Sequence, residues 1–393
     1  MNVIRSYAPI GALMVAFALV GCDGETEMMD GGPDLTDAGP TDAGDAADTG
    51  VEGDGGVDGG MDEDSGVGCG ADEAAVRGVC VATCGADTSG WDAALDESLT
   101  VVATFCSDAD RFGTAPGDPT EVFTLRSEPV TEGTRIELAR FIAFGSDAPT
   151  VLGNIVVERP SSELFLGGYL EPNGDASRIA LGYTALGATV PGEVFSVASM
   201  DGTQAAVGAD GNFDVAWLSE DTLLVNGLGA EGAGSSGQGL YAVTFSDTGI
   251  RAVRVGIGLG DFSGGVIVGP DYVLAGGNFG GENRAYVVLK ARVEGAVSMP
   301  REIDFSAMGV RVPVDGFPST FDLVNGMIVV QDLSDTFDLV ALQAYPVEGY
   351  MGTTGLSLGA PIRLTSGNLF DVAHEAGGGR MLLEFAGGLL LVE

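Results

Sequence analysis

From about residue 99 to the C-terminus the chain consists of short apolar runs that return at a regular interval. Tyr241, Val243 and Phe245 alternate with Ala242, Thr244 and Ser246, the period-two pattern of a strand with one face buried. Ile155–Val157, Val266–Val268, Met327–Val330 and Leu389–Val392 are continuously apolar, as suits strands covered on both faces. Gly, Asp, Asn and Pro clusters break the text every 5–8 residues, and no window supports a helix of three turns. Phe213-Asp214-Val215, Phe321-Asp322-Leu323 and Phe370-Asp371-Val372 each open a strand that a second soon follows. The first two lie 108 residues apart, twice 54, and the last step is 49. Ser263–Val268 fills the missing unit, and Leu152–Glu158 begins another. One unit reads Phe213–Leu218, Thr222–Asn226, Leu240–Ser246, Arg251–Gly256. Four short strands per unit of about 50 residues is the pattern of a β-propeller blade.

The expectation is therefore an all-β chain with a propeller of five or six four-stranded blades over residues 107–393. Units begin near 152, 213, 264, 320 and 369, and the strands between 99 and 147 supply the rest. The last unit, Leu369–Glu393, has room for about three strands and would leave an open edge. A strand from the start of the domain, Leu99–Phe105, would complete it and close the ring. A β-sandwich would not repeat at this period, and an outer-membrane barrel needs segments of about ten alternating residues with aromatic girdles.

Three second strands end in a double glycine: Leu164–Gly168, Val273–Gly277 and Phe385–Gly388. In this the chain resembles kelch-type propellers, whose blades carry apolar strands closed by Gly-Gly. The paired Tyr and Trp of that family are missing, since the only tryptophans are Trp91 and Trp217.

The N-terminus reads as an export address. Arg5 precedes an apolar run, Ile10–Val20, that is too short to cross a hydrocarbon core of roughly 30 Å as a mature helix. The run ends Leu19-Val20-Gly21-Cys22, which resembles the bacterial lipobox. That resemblance implies removal of residues 1–21, a diacylglycerol and palmitate-bearing Cys22, and attachment to a membrane, with the domain in the periplasm or outside the cell. Residues 23–68 then hold 15 Asp or Glu, 13 Gly and no Lys or Arg. Such a segment cannot offset its ordering entropy by burying apolar area, so residues 22–68 read as a lipidated, disordered tether. The layout resembles Asp/Gly-tethered surface lipoproteins, a likeness that implies cell-surface exposure and no particular activity. With 57 acidic residues against 17 basic ones, the net charge is −40. Nucleic-acid binding through phosphates and docking on anionic lipid through basic patches are both excluded.

Four more cysteines, Cys69, Cys80, Cys84 and Cys106, fall within the 38 residues after the tether, and none follows. An even number in an exported chain predicts two disulfides, with three connectivities open. The spacing lacks the paired short steps of a zinc ribbon and has no histidine near it. Residues 69–106 thus read as a small Cys-rich segment, with single helical turns at Ala71–Arg77 and Trp91–Glu97.

Chemistry leaves few marks. The only histidine, His374, reads as a strand-end residue with a satisfied hydrogen bond rather than a catalytic base. Gly227–Gly232 matches G-x-G-x-x-G, but a strand follows it where a dinucleotide site needs a helix. Asp210, Asn212 and Asp214 carry oxygens at alternating positions with Asp221 twelfth, yet Val215 replaces the turning Gly of a calcium loop; Asp108 and Asp110 lose the fifth ligand. Both clusters read as turns, and no cofactor or metal is expected. The expected role is a monomeric binding or scaffolding module for a protein or carbohydrate. A carbohydrate-active enzyme using channel carboxylates is the alternative, which would concentrate acids, Arg and aromatics at one end of the channel.

Overall fold

The computed structural model describes residues 69–393 except 116–117, 143–147, 159–163, 166–168, 183, 186–192, 197–203, 207–211, 230–235, 248, 261, 280–281, 300, 314–321 and 334–338. Cys22, the tether and Asp210 lie outside the described residues. Among the described residues, six sheets of four or five strands, antiparallel but for one parallel pair, follow one another along the chain. The first blade is Arg111–Ala115, Asp118–Val130, Gly133–Ile142 and Thr150–Val157. The second opens with Leu170–Pro172, the third with Asn212–Ser219, the fourth with Phe262–Val268, the fifth with Asp322–Val324 and the sixth with Val372–Glu375. Each of these opening strands packs against the next, and that of the sixth against that of the first, so they form a closed inner ring. The fold is a β-propeller.

The sixth blade takes its last strand from the other end of the domain. Val101–Cys106 pairs with Gly388–Val392, so the ring closes as the unfinished last unit required. This strand moves the start of the propeller from 107 to 101. Leu389–Val392 are 4% exposed or less, in keeping with their unbroken apolar text. Leu152–Glu158, by contrast, does not open a unit: Thr150–Val157 is the outer strand of the first blade, and Val156 is 43% exposed. An outer strand covers only one face, which a three-residue apolar run does not reveal.

Two crossings bind neighbouring blades. After its third strand the fourth blade runs into α1 (Lys290–Ser298), then pairs Ile303 and Asp304 in parallel with Gly256 and Ile257 of the third blade. It continues through α2 (Phe305–Met308), capped by Asp304 accepting from the Ala307 N–H, before finishing its own sheet. The nine residues of α1 are the longest helix among those described. In the fifth blade, Leu339–Met351 outgrows its sheet and folds back with Gly355–Leu358 as a hairpin against the fourth.

The Cys-rich segment is a cap on the closing blades. Glu73–Val76 and Val79–Ala82 form a hairpin, not the helical turn expected at Ala71–Arg77, because Arg77 and Gly78 both take positive φ and turn the chain back. Trp91–Ala94 is the expected helical turn. The disulfides join Cys69 to Cys80 and Cys84 to Cys106, the second tying the cap to the closing strand. The Arg77 guanidinium donates to the carbonyls of Leu95, Asp96 and Leu99 at 2.6, 2.6 and 2.9 Å, satisfying the acceptors left where the turn ends. Trp91, 1% exposed, sits edge-on to Phe370 and Phe385 at 5.5 and 4.6 Å.

Candidate functional site

The inner ring surrounds a cavity of about 220 Å³, lined by every blade in turn: Thr114, Glu171, Asp214, Ile267, Asp322 and His374. Its polar chemistry comes from one position of the repeat. Alternation along a strand turns successive side chains to opposite faces, so one residue of each opening pair points toward the axis. The Phe-Asp pairs of the third, fifth and sixth units and Leu170-Glu171 of the second thereby deliver Asp214, Asp322, Asp371 and Glu171 to the start of the inner strands. In the first blade this position is Gly113. A Cβ there would lie 2.1 Å from the Leu170 carbonyl oxygen, so the neighbouring strand leaves room only for hydrogen.

These carboxyls sit deep in the molecule with few donors. Burial pushes Glu171 up to about 8, and the nearby Asp322 adds to the effect. Burial likewise holds Asp214 well above the usual carboxylate range; the Val266 N–H, donating at 2.7 Å, works against it, and Asp322 and Glu171 push it further. Asp322 is raised by burial to about 6, His374 pulling down and Glu384 pushing up. Asp371 is raised by burial to about 7, with Glu384 pushing up and Arg111 and His374 pulling down. The channel therefore holds a mixture of protonated and ionised carboxyls near neutral pH.

The cations stand at one place on the wall. Arg111 of the first blade lies 3.5 Å from Glu384 Oε1, and His374 of the sixth lies 3.4 Å from Glu384 Oε2. Glu384 is 6% exposed. His374 is thus partnered, as expected, but it also faces the channel. The tryptophan nearest the site is Trp217, whose indole N–H donates to the Glu171 carbonyl at 2.8 Å.

The other expected sites resolve differently. Asp108 pairs with Arg126 at 3.0 Å, and Asp110 accepts from the Ser127 N–H and hydroxyl, so both are committed to protein partners. Asn212 lies on the strand that carries Asp214. Among the described residues no three His, Cys, Asp or Glu side chains are grouped to hold a metal ion. Gly227 and Gly229 lie in Thr222–Gly229, and the strand Ser236–Ser246 follows. The double glycines hold no common place: Gly276 and Gly277 are inside a strand, while Gly387 is in a turn and Gly388 opens the strand after it.

No protein-family model matches the chain, and no curated protein matches its sequence. Solved structures similar to it include a putative oxidoreductase (glucose dehydrogenase) from Thermus thermophilus, 14% identical, with a TM-score of 0.43 over 75% of this chain and 99% of that one. The β-propeller domain of the Trilobed protease from Pyrococcus furiosus is 13% identical, with a TM-score of 0.36 over 72% and 80%. TolB from Acinetobacter baumannii is 10% identical, with a TM-score of 0.39 over 66% of this chain and 56% of TolB, little more than half its length.

Proposed function

We propose that the chain is a lipid-anchored binding module at the cell surface whose propeller channel receives a positively charged group, an amine or guanidinium of a protein or small-molecule ligand. The observation that carries this reading is the convergence of Glu171, Asp214 and Asp322 on one cavity from three blades, with Asp371 just ahead of the sixth blade's opening strand. A cation entering such a place replaces protons as counter-charge, so binding releases protons and weakens with salt. Titration calorimetry with spermidine and with a short Arg-rich peptide at pH 7 should show binding with proton release. Glu171→Gln with Asp322→Asn should weaken it at least tenfold, and retention of full affinity by that variant would remove the channel from the reading.

The anchor rests on Leu19-Val20-Gly21-Cys22 and the abrupt acidic segment behind it. Cys22→Ala should abolish palmitate labelling and release the chain from the membrane fraction; continued labelling would sink this part.

A second reading has its own observation. A carboxyl held at about 8, as Glu171 is, stays protonated at neutral pH, which is what the proton donor of a glycoside hydrolase requires. Turnover of aryl glycosides or a polysaccharide that Glu171→Gln removes would establish a carbohydrate-active enzyme in place of the binding module.

A further inference from the structure

The outer strand of every blade is a row of unpaired N–H and C=O groups unless something blunts it. Among the described residues, five of the six outer strands are short or covered. Gln204–Ala206 of the second blade and Val310–Val312 of the fourth are three residues long, and the fifth blade's hairpin packs on the latter. Gly249–Ile257 of the third is paired by Ile303 and Asp304. Ile362–Ser366 of the fifth lies under the cap, its Leu364 carbonyl accepting from the Asp96 N–H at 2.9 Å. Val101–Cys106 of the sixth carries the cap's hairpin and the Cys84–Cys106 disulfide. The first blade is the exception.

Its outer strand, Thr150–Val157, is eight residues long and pairs on one side only, with Gly133–Ile142. It contains no charged residue and no proline, two common guards of an edge. Its one irregularity falls at Leu152 and leaves five consecutive pairs from Gly153 to Val157. Leu152 and Ile155 pack into the blade core, while Val151 and Val156 are 49% and 43% exposed. An arriving strand would find a backbone ladder and apolar cross-strand neighbours. The unpaired charge beside this edge has one sign. Glu137, across from Asn154, and the exposed Glu132 and Glu158 have no ionic partner among the described residues. The neighbouring cations are taken, Arg135 by Glu128 at 3.4 Å and Arg140 by Glu121 at 3.5 Å. A second copy of the chain would bring the same carboxylates and its own charge of −40, so like charge opposes self-pairing. A basic segment meets the opposite sign.

We propose that the outer strand of the first blade is a docking site for an extended, basic segment of a partner protein, which adds a fifth strand to that blade. Apolar side chains of the segment lie beside Val151 and Val156, and its Lys or Arg meets Glu137 and Glu158. None of Thr150–Val157 lines the channel cavity, so the site stands whatever the channel receives.

Fluorescence anisotropy with the full chain and a labelled peptide, Lys-Val-Thr-Val-Thr-Val-Lys, tests it. The peptide should bind, and its counterpart with Glu at both ends should bind about tenfold more weakly at low salt. N-methylation of one alternate set of peptide residues should abolish binding and that of the other should not, because only one edge of the peptide joins the ladder. Val151→Lys and Val156→Lys should each weaken binding about tenfold with an unchanged melting temperature, since both side chains are exposed. Should either variant fail to fold, the N-methylated peptides decide. Glu171→Gln with Asp322→Asn should leave this binding intact, which separates the rim from the channel. No binding of the Lys-ended peptide, equal binding of the Glu-ended one, or loss of binding in the channel variant would overturn the proposal. So would dimerisation in sedimentation velocity that Val156→Lys abolishes, which would make a second copy the occupant.

Discussion

Raising the pH from about 5 to about 8.5 should lower the melting temperature of the domain on the order of 10 °C, the reverse of what an ordinary acidic protein does on leaving acid. Glu171, Asp322 and Asp371 have folded-state values of about 8, 6 and 7, against 4.5, 3.8 and 3.8 when free. In this window the folded state binds more protons than the unfolded chain, so stability declines as pH rises. The stabilisation is whole below about 4 and is lost progressively as pH passes 6, 7 and 8. Each tenfold in proton affinity is worth about 1.4 kcal/mol, so three such groups amount to several kcal/mol even after channel water screens part of it. Asp96, Asp175 and Asp304 work in the opposite sense: hydrogen bonds from neighbouring serines hold them below the usual range. Their contribution fades only as pH falls through those lowered values, outside the window. Scanning calorimetry from pH 5 to 8.5 checks the sign. Asp322→Asn should raise the melting temperature at pH 8.5 and scarcely change it at pH 5; a wild-type curve that rises with pH would refute the channel electrostatics.

Trp91→Ala should cost about 3–5 kcal/mol and dissolve the cap on the closing blades. Trp91 is the largest fully buried side chain, and its two ring partners, Phe370 and Phe385, come from the sixth blade and the segment that leads into it. Val76, Val81 and Leu95 of the Cys-rich segment share the same core with Leu383 and Leu390. Removing the indole therefore leaves a cavity at the joint between cap and ring. Urea unfolding should show a lowered midpoint, and Cys84–Cys106 should become reducible under conditions that leave the wild type oxidised. Phe245→Ala, far from the cap, should leave that disulfide protected. Equal reducibility in wild type and Trp91→Ala would mean that the cap stands without its core.

Both results depend on features that differ in how far the amino-acid text announces them. The blades were legible because their cause is local: alternation and turn residues act within a few positions, and a 50-residue period survives insertions in loops. Each expected strand of the third unit lies inside its observed strand, with ends at most four residues short, and the closing strand follows from counting the strands in an incomplete last unit. Where two local causes gave the same pattern, the reading failed. Leu152–Glu158 is apolar enough to open a blade yet closes one, and Ala71–Arg77 makes a hairpin because Arg77 and Gly78 turn it.

The site was present in the text as a repeat marker. Phe-Asp recurs at the head of three units, and two of its aspartates, Asp214 and Asp322, line the channel cavity. Period-two alternation says that Phe and Asp face opposite sides, but only ring closure makes one of those sides a shared axis. Residues as distant as Arg111 and Glu384 then come within 3.5 Å. The proton affinities of the carboxyls are set by that closure, because burial among other carboxyls raises them and no neighbour in sequence does so. The disulfide pairing was decided the same way: four cysteines allow three connectivities, and the choice rests on which sulfurs the cap's hairpin and the closing strand bring together in space. The sequence by itself determined the strands, their grouping and the need for a closing strand. The tertiary structure alone decided which carboxyls share a cavity and where the ring is joined, since both depend on contacts between residues that no local rule connects.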